Sequence, residues 1–263
     1  MYKKVLCILV LAFLLPQVAG ATKLTLDPVF PLLRDTATWR WHIEVVDAMG
    51  NVGKYTSLAL DTGGRPCISY ADVSSMGILK YACFDGSSWA IEAVDGPGVD
   101  FSSSSLPASG EAQIAYHGNS MLKYARKKSG GGWVIQVVDA SSLETGWYPS
   151  LALDATKGLP YIGYYDWNTH RLRYAFYDPD AGWQTMTVDS DDAGEYVSLA
   201  LDSSGHPHMS YYKAVLGDLR YAHLDGSSWH IETVDAEGDT GQHTSLALDA
   251  EGHPHISYFD RGN

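Results

Sequence analysis

Short runs of alternating apolar and polar residues, five to seven long, recur along the chain between clusters of Gly, Asp, Ser and Pro. Their β-branched and aromatic content and two-residue period predict strands half-buried in a sheet. No stretch sustains a 3.6-residue period. The pattern therefore predicts an all-β chain of many short strands.

The runs repeat in order. Trp41, Trp89, Trp133, Trp183 and Trp229 open the phrases WHIEVVD, WAIEAVD, WVIQVVD, WQTMTVD and WHIETVD, at spacings of 48, 44, 50 and 46. Between them recur SLALD (57–61, 150–154, 198–202, 245–249) and a PxISYxD phrase (66–72, 160–166, 207–213, 254–260). L[KR]YA follows at 79–82, 122–125, 172–175 and 219–222. The second unit is worn, with SLPASGEAQIAYHG at 105–118 in place of its first two phrases. Four short strands per unit of this length are the signature of a propeller blade.

Loop lengths set the phase. Joins after SLALD and after L[KR]YA are short turns, whereas the join from VD to the next SLALD is longer and bears glycine. SLALD is then the innermost strand and the Trp phrase the outermost. Whole blades fall at about 57–95, 104–139, 150–189 and 198–235. A fifth, composite blade combines 24–47 with 245–260, so that both termini close the ring and cover its sheet edges. The expectation is a five-bladed β-propeller of four-stranded antiparallel blades. These phrases resemble the repeat-built propellers, among them the five-bladed tachylectin-type lectins and the sialidase-like propellers with Asp-box turns. Asp85-Gly86-Ser87-Ser88-Trp89 and its copy at 225–229 come nearest to an Asp-box but space Asp and Trp differently, and no family residue is carried over.

Residues 1–21 read as an export signal: Lys3 and Lys4, the apolar run Val5 to Leu15, then Ala19-Gly20-Ala21. The expected location is secreted or periplasmic. Net charge is −13, and −15 without the two signal lysines. Such acidity argues against nucleic acid and anionic membranes as partners, and no run after the signal is long enough for insertion.

Of the candidate side chains, the five repeated tryptophans are expected to pack between blades, and the Asp closing each Trp phrase to order a turn. Trp147 and Trp167 lie outside the repeat and fall in loops of one face, where an exposed indole can stack on a sugar. Tyr55, Tyr148, Tyr196 and His243, each two residues before the Ser of SLALD, should ring the channel mouth. Asp72, Asp166 and Asp260 close the neighbouring phrase. Asp189, Asp191, Asp192 and Glu195 form an acidic loop able to offer oxygens to calcium; no other cofactor is implied. His206 and His208, like His253 and His255, flank a proline in a turn and read as surface histidines lacking a third ligand. If Asp72 pairs with Ile78, Cys67 stands directly opposite Cys83, which predicts a disulfide in an exported protein.

No nucleophile motif and no phosphate-cradling loop occurs. Glu144 and Glu195 are the only glutamates near the candidate face; Arg171 sits near it but Arg65 falls at the opposite one, so the arginine cluster of a sialidase-like site is not evident. The leading expectation is an exported binding module for glycans or other surface ligands. The alternatives are a glycoside hydrolase or lyase, and a structural or protein-interaction propeller without a small ligand.

Overall fold

The computed structural model describes residues 8–12, 41–74, 76–106 and 110–262. These form β-strands and no helix. They are β1 (Ile8–Ala12), β2 (Trp41–Val45), β3 (Val52–Leu60), β4 (Pro66–Asp72), β5 (Ile78–Phe84), β6 (Trp89–Asp95), β7 (Val99–Ser105), β8 (Gln113–Gly118), β9 (Met121–Lys127) and β10 (Trp133–Asp139). There follow β11 (Thr145–Leu153), β12 (Pro160–Asp166), β13 (Arg171–Asp178), β14 (Gly182–Asp189), β15 (Glu195–Leu201), β16 (Pro207–Lys213), β17 (Asp218–Asp225), β18 (Ser228–Asp235), β19 (Thr240–Leu248) and β20 (Pro254–Asp260). Four four-stranded antiparallel sheets, β3–β6, β7–β10, β11–β14 and β15–β18, are the whole blades; β19–β20 and β1–β2 are two-stranded.

The inner strand of the second blade is Val99–Ser105, earlier in the chain than the predicted start at 104. Its run of serines carries no alternation for a period to detect. Those serines nonetheless take the usual place on the axis, where each inner strand is tied to the next through a hydroxyl. Backbone N–H groups of Ser104, Leu151, Leu199 and Leu246 donate to Oγ of Ser57, Ser103, Ser150 and Ser198, at 3.0 to 3.1 Å. The small Ser and Ala of SLALD permit this close approach.

Blades pack face to face, and the same contacts repeat at each junction. The outer-strand tryptophan of one blade meets the third-strand tyrosine of the blade before it edge-on: Trp133 on Tyr81, Trp183 on Tyr124, Trp229 on Tyr174, with centroids 5.1 to 5.3 Å apart. The Asp closing each outer strand orders its own turn and does more. Its second oxygen accepts the phenol of the next blade: Tyr70 to Asp47, Tyr116 to Asp95, Tyr164 to Asp139, Tyr211 to Asp189 and Tyr258 to Asp235, at 2.6 to 2.9 Å. Five copies of one bond make the repeat a set of blades stapled in series.

Burial pushes Asp139 and Asp95 up, but other groups outweigh it and hold both carboxyls below their ordinary value. For Asp139 these are the Tyr164 and Ser141 hydrogen bonds and the Arg173 guanidinium; for Asp95, chiefly Lys123 and Tyr116.

The fifth blade is split. Asp47 takes both Tyr70 and Lys80 of the first blade, and Glu44 takes the Trp89 indole, so the segment 41–47 stands where an outer strand belongs. Its sheet partner is Ile8–Ala12. The expected partner strand within 24–38 lies outside the described residues. On the other side, β19–β20 packs on the fourth blade. Leu246 is 8% exposed there, whereas Leu58, its counterpart in the first blade, is 49% exposed. Among the described residues no pairing joins β2 to β20.

Cys67 and Cys83 are directly opposed in β4 and β5 and form the expected disulfide. The equivalent pairs Gln113–Arg126, Tyr161–Phe176 and His208–His223 keep the same register.

Candidate functional site: an aromatic rim at one end of the strands

Every inner strand contains a one-residue bulge two residues before its inner-phrase serine, and in β3, β11 and β19 a second register shift precedes it. Lys54 and Ser57 pair with Ala71 and Ser69, for example, and Trp147 and Ser150 with Tyr165 and Gly163. The extra residue is aromatic in all five strands and adopts a left-handed backbone: Tyr55 (φ 54°), Phe101 (36°), Tyr148 (50°), Tyr196 (54°) and His243 (52°). Glycine would hold this conformation without the ~1–2 kcal/mol that a side chain costs there. The rings are therefore what the bulge presents. They form one arc, Tyr55–Phe101–Tyr148–Tyr196–His243, with successive centroids 4.2, 4.8, 4.7 and 4.3 Å apart.

Four of these five were legible as a ring. Phe101 was missed because the worn second unit hid its register; counting back two residues from Ser103, which pairs as the SLALD serines do, would have found it.

Just before the bulge, Gly146, Gly194 and Gly241 bring each inner strand against the preceding blade. A Cβ on them would lie 2.7–2.8 Å from the Cα of Leu122, Leu172 or Leu219. That close approach fixes the neighbouring Trp147, Glu195 and Gln242 at the rim.

Blades 2 to 4 supply the chemistry. Trp147 and Trp167 lie 5.1 Å apart with planes inclined by 30°. Trp147 is half-buried on Phe101 and His117, and Trp167 is 43% exposed. Asp166 is fully buried. It accepts the Ser142 hydroxyl and the N–H groups of Asn168 and Thr169, and so shapes the loop that carries Trp167. Asp72 does likewise for Ser74 and also faces Lys80, and Asp260 accepts the N–H of Gly262. The three aspartates proposed for the rim thus order its loops.

Glu144 flanks one side of the indole pair. It accepts Ser120 Oγ at 2.6 Å and the Trp147 indole N–H at 3.3 Å. The Ser120 bond, with Trp147 and His117, outweighs burial and holds its carboxyl low. His117 is 4% exposed. Its Nε2 lies 3.4 Å from Glu144, an ion-pair distance, yet neither ring nitrogen has an aligned hydrogen-bond partner. Burial holds its imidazole below the ordinary value against the pull of Glu144.

On the other side, the Tyr165 hydroxyl meets His170 Nδ1 at 2.9 Å and Asp192 at 3.4 Å. Glu195 is pushed up by burial, with Asp192 adding to the shift. The carboxylates of the acidic loop diverge to separate partners: Asp189 to Tyr211, Asp191 to Lys213, Asp192 to His170.

Backbone strain marks the same place. Of the ten non-glycine residues with left-handed φ among the described residues, five are the ring. The others, Asn119, Ser120, Glu144, His170 and Asp192, all sit in the loops around the two tryptophans. Such outliers persist only where the surrounding structure over-determines them.

The SapL1 lectin, solved in complex with alpha methyl fucoside, superposes with a TM-score of 0.61 over 84% of this chain and 78% of that one, at 14% identity. AofleA from Arthrobotrys oligospora gives 0.55 over 80% and 68%, at 15% identity. The Hadza microbial sialidase Hz136 gives 0.54 over 86% of this chain and 57% of its own, at 14% identity. The fold is a β-propeller. No family model matches the chain, and no curated protein matches it. A lectin and a sialidase are thus among the proteins that share this architecture, and identity this low carries the fold alone.

Proposed function

We propose that this propeller is an exported glycan-binding protein whose ligand seats on Trp147 and Trp167 at the rim between blades 2 and 4. The observation that carries the reading is the indole pair itself. Trp167 holds an exposed indole beside a ring of aromatics, backed by the half-buried Trp147 and flanked by carboxylates and imidazoles. A pyranose presents C–H groups on one face and hydroxyls on its edge, so it can stack on indole while its hydroxyls meet Glu144, His170 and Asp192. The disulfide and the signal-like N-terminus support export, and the fucoside-bound SapL1 neighbour supports a sugar as ligand.

A glycan array read with the intact chain and with Trp167→Ala tests the reading. The intact chain should select a defined set of glycans, and the variant should lose at least about tenfold in affinity for them, ~1.4 kcal/mol. An array without selective binding would refute it.

One observation favours a second reading. Glu195 is pushed up while Glu144 is held down, and carboxyls driven apart in this way can serve as acid and base of a glycosidase. Turnover of aryl glycosides, abolished by Glu195→Gln, would support hydrolysis; binding without turnover leaves the lectin reading.

A further inference from the structure

The end of the strands opposite the rim carries a repeated motif that glycan binding does not use. The turn from β19 to β20 reads Asp249-Ala250-Glu251-Gly252-His253-Pro254-His255, and that from β15 to β16 reads Asp202-Ser203-Ser204-Gly205-His206-Pro207-His208. In each, one carboxylate oxygen is committed to the turn: Asp249 Oδ1 accepts the N–H groups of Glu251 and His253, and Asp202 Oδ1 those of Ser204 and His206.

The other oxygen faces two imidazoles. Asp249 Oδ2 lies 3.2 Å from His253 Nδ1 and 3.3 Å from His255 Nε2. Asp202 Oδ2 lies 3.1 Å from His206 Nδ1 and 3.9 Å from His208 Nε2. Ligand atoms about 2.0–2.1 Å from zinc at tetrahedral angles stand about 3.3 Å from one another. Both contacts of Asp249 match that edge.

Further features point the same way. Glu251 brings a carboxylate whose oxygen lies within 4.8 Å of the ligand atoms of Asp249 and His253. In the second turn, His208 Nδ1 is engaged by the Tyr221 hydroxyl, which leaves Nε2 toward Asp202, as partners behind a metal-bound imidazole do. In the first blade the same oxygen, on Asp61, meets the Arg65 guanidinium at 2.7 Å. Blades 4 and 5 replace that cation with pairs of lone-pair donors.

We propose that Asp249, His253, His255 and Glu251 form a Zn²⁺ site, and that Asp202, His206 and His208 form a second, weaker one. The His253 and His255 side chains are 73% and 68% exposed, so both can swing onto a shared ion without disturbing the core. The surface histidines of the sequence thus acquire the third ligand that the sequence did not supply, an aspartate four and six residues upstream in the same turn. This site lies at the end of the strands away from Trp147 and Trp167 and does not depend on the glycan reading.

Calorimetric titration of the untagged, EDTA-stripped chain with ZnCl₂ tests it, together with the visible bands of a tetrahedral Co²⁺ substitute. Binding at ~10 μM or tighter is expected. Loss of partners behind a ligand already weakens binding about 10–100-fold, so His253→Ala or His255→Ala should weaken the tighter site by more than about tenfold. His206→Ala should remove only the weaker one. Because these side chains are exposed, far-UV circular dichroism should show the variants folded as the parent. Absence of zinc binding and of Co²⁺ bands, or undiminished binding by the folded His253→Ala/His255→Ala variant, would overturn the proposal.

Discussion

The two ends of the strands come from one repeat and obey different rules. At the hairpin end, Asp61, Asp154, Asp202 and Asp249 each accept two backbone N–H groups on Oδ1. The turn is the same in blades 1, 4 and 5, where Oδ1 takes the N–H groups two and four residues on and the partner of the second oxygen changes; in blade 3 it is one residue longer. At the rim end the register of the bulge is shared, but each blade presents a different side chain on it: Lys54, Asp100, Trp147, Glu195 or Gln242 stands before the ring residue. Among the described residues, every left-handed non-glycine residue belongs to an inner-strand bulge or the loop leading into it, except Asn119 and Ser120 in the β8–β9 turn and His170 in the equivalent β12–β13 turn. A constant frame at one end lets the other end vary side chains without losing the fold. Function is therefore best sought where blades differ, not where they agree.

Substitutions that strike the frame should lower stability and leave the rim's selectivity intact. The largest effect is expected from the disulfide near the hairpin end. Its 16-residue separation corresponds to a loss of ~3 kcal/mol on reduction or in Cys67→Ala/Cys83→Ala, read as a lower denaturant midpoint with unchanged glycan binding.

Next come the staples between blades. Tyr164 is fully buried and donates to the buried Asp139, so Tyr164→Phe should destabilise by about 1–3 kcal/mol. Tyr258 makes the same bond to Asp235 at 39% exposure, and Tyr258→Phe should shift stability by no more than about 0.5 kcal/mol. Equal losses from both would show that the split fifth blade is as tightly packed as the others.

Acid should then expose the staples together. The carboxyls of Asp139 and Asp95 are held below their ordinary value in the folded chain. Their contribution is therefore complete above about pH 4 and disappears as pH falls through the depressed folded values. Melting temperature should be flat near neutrality and fall below about pH 4. A steady decline starting near pH 6 would place the titration on histidines instead.

Much of the fold could be read from the sequence because repetition supplies its own alignment. Strand order, the innermost SLALD and the Cys67–Cys83 register all follow from phrases recurring in fixed order. What escaped has physical reasons. The serines of 102–105 have no apolar period, so the second blade's inner strand and Phe101 were invisible. The aspartates closing the Trp phrases were legible as turn residues. Their second role needed the blade geometry that sets the next tyrosine against them, although an Asp and a Tyr that recur together in all five units were the available signal. At the site, Trp147 and Trp167 stood out because the repeat did not require them. The burial of Asp166 and His117 depends on neighbouring blades that no local pattern encodes.

The most direct measurement compares Trp167→Ala with the intact chain on the same glycan array, with melting temperature measured in parallel. Because Trp167 is 43% exposed, its loss should remove the selected glycans while leaving the melting temperature within a few degrees, ~1 kcal/mol or less. Glycan binding that survives this substitution unchanged would contradict the assignment of the ligand site to the tryptophan rim.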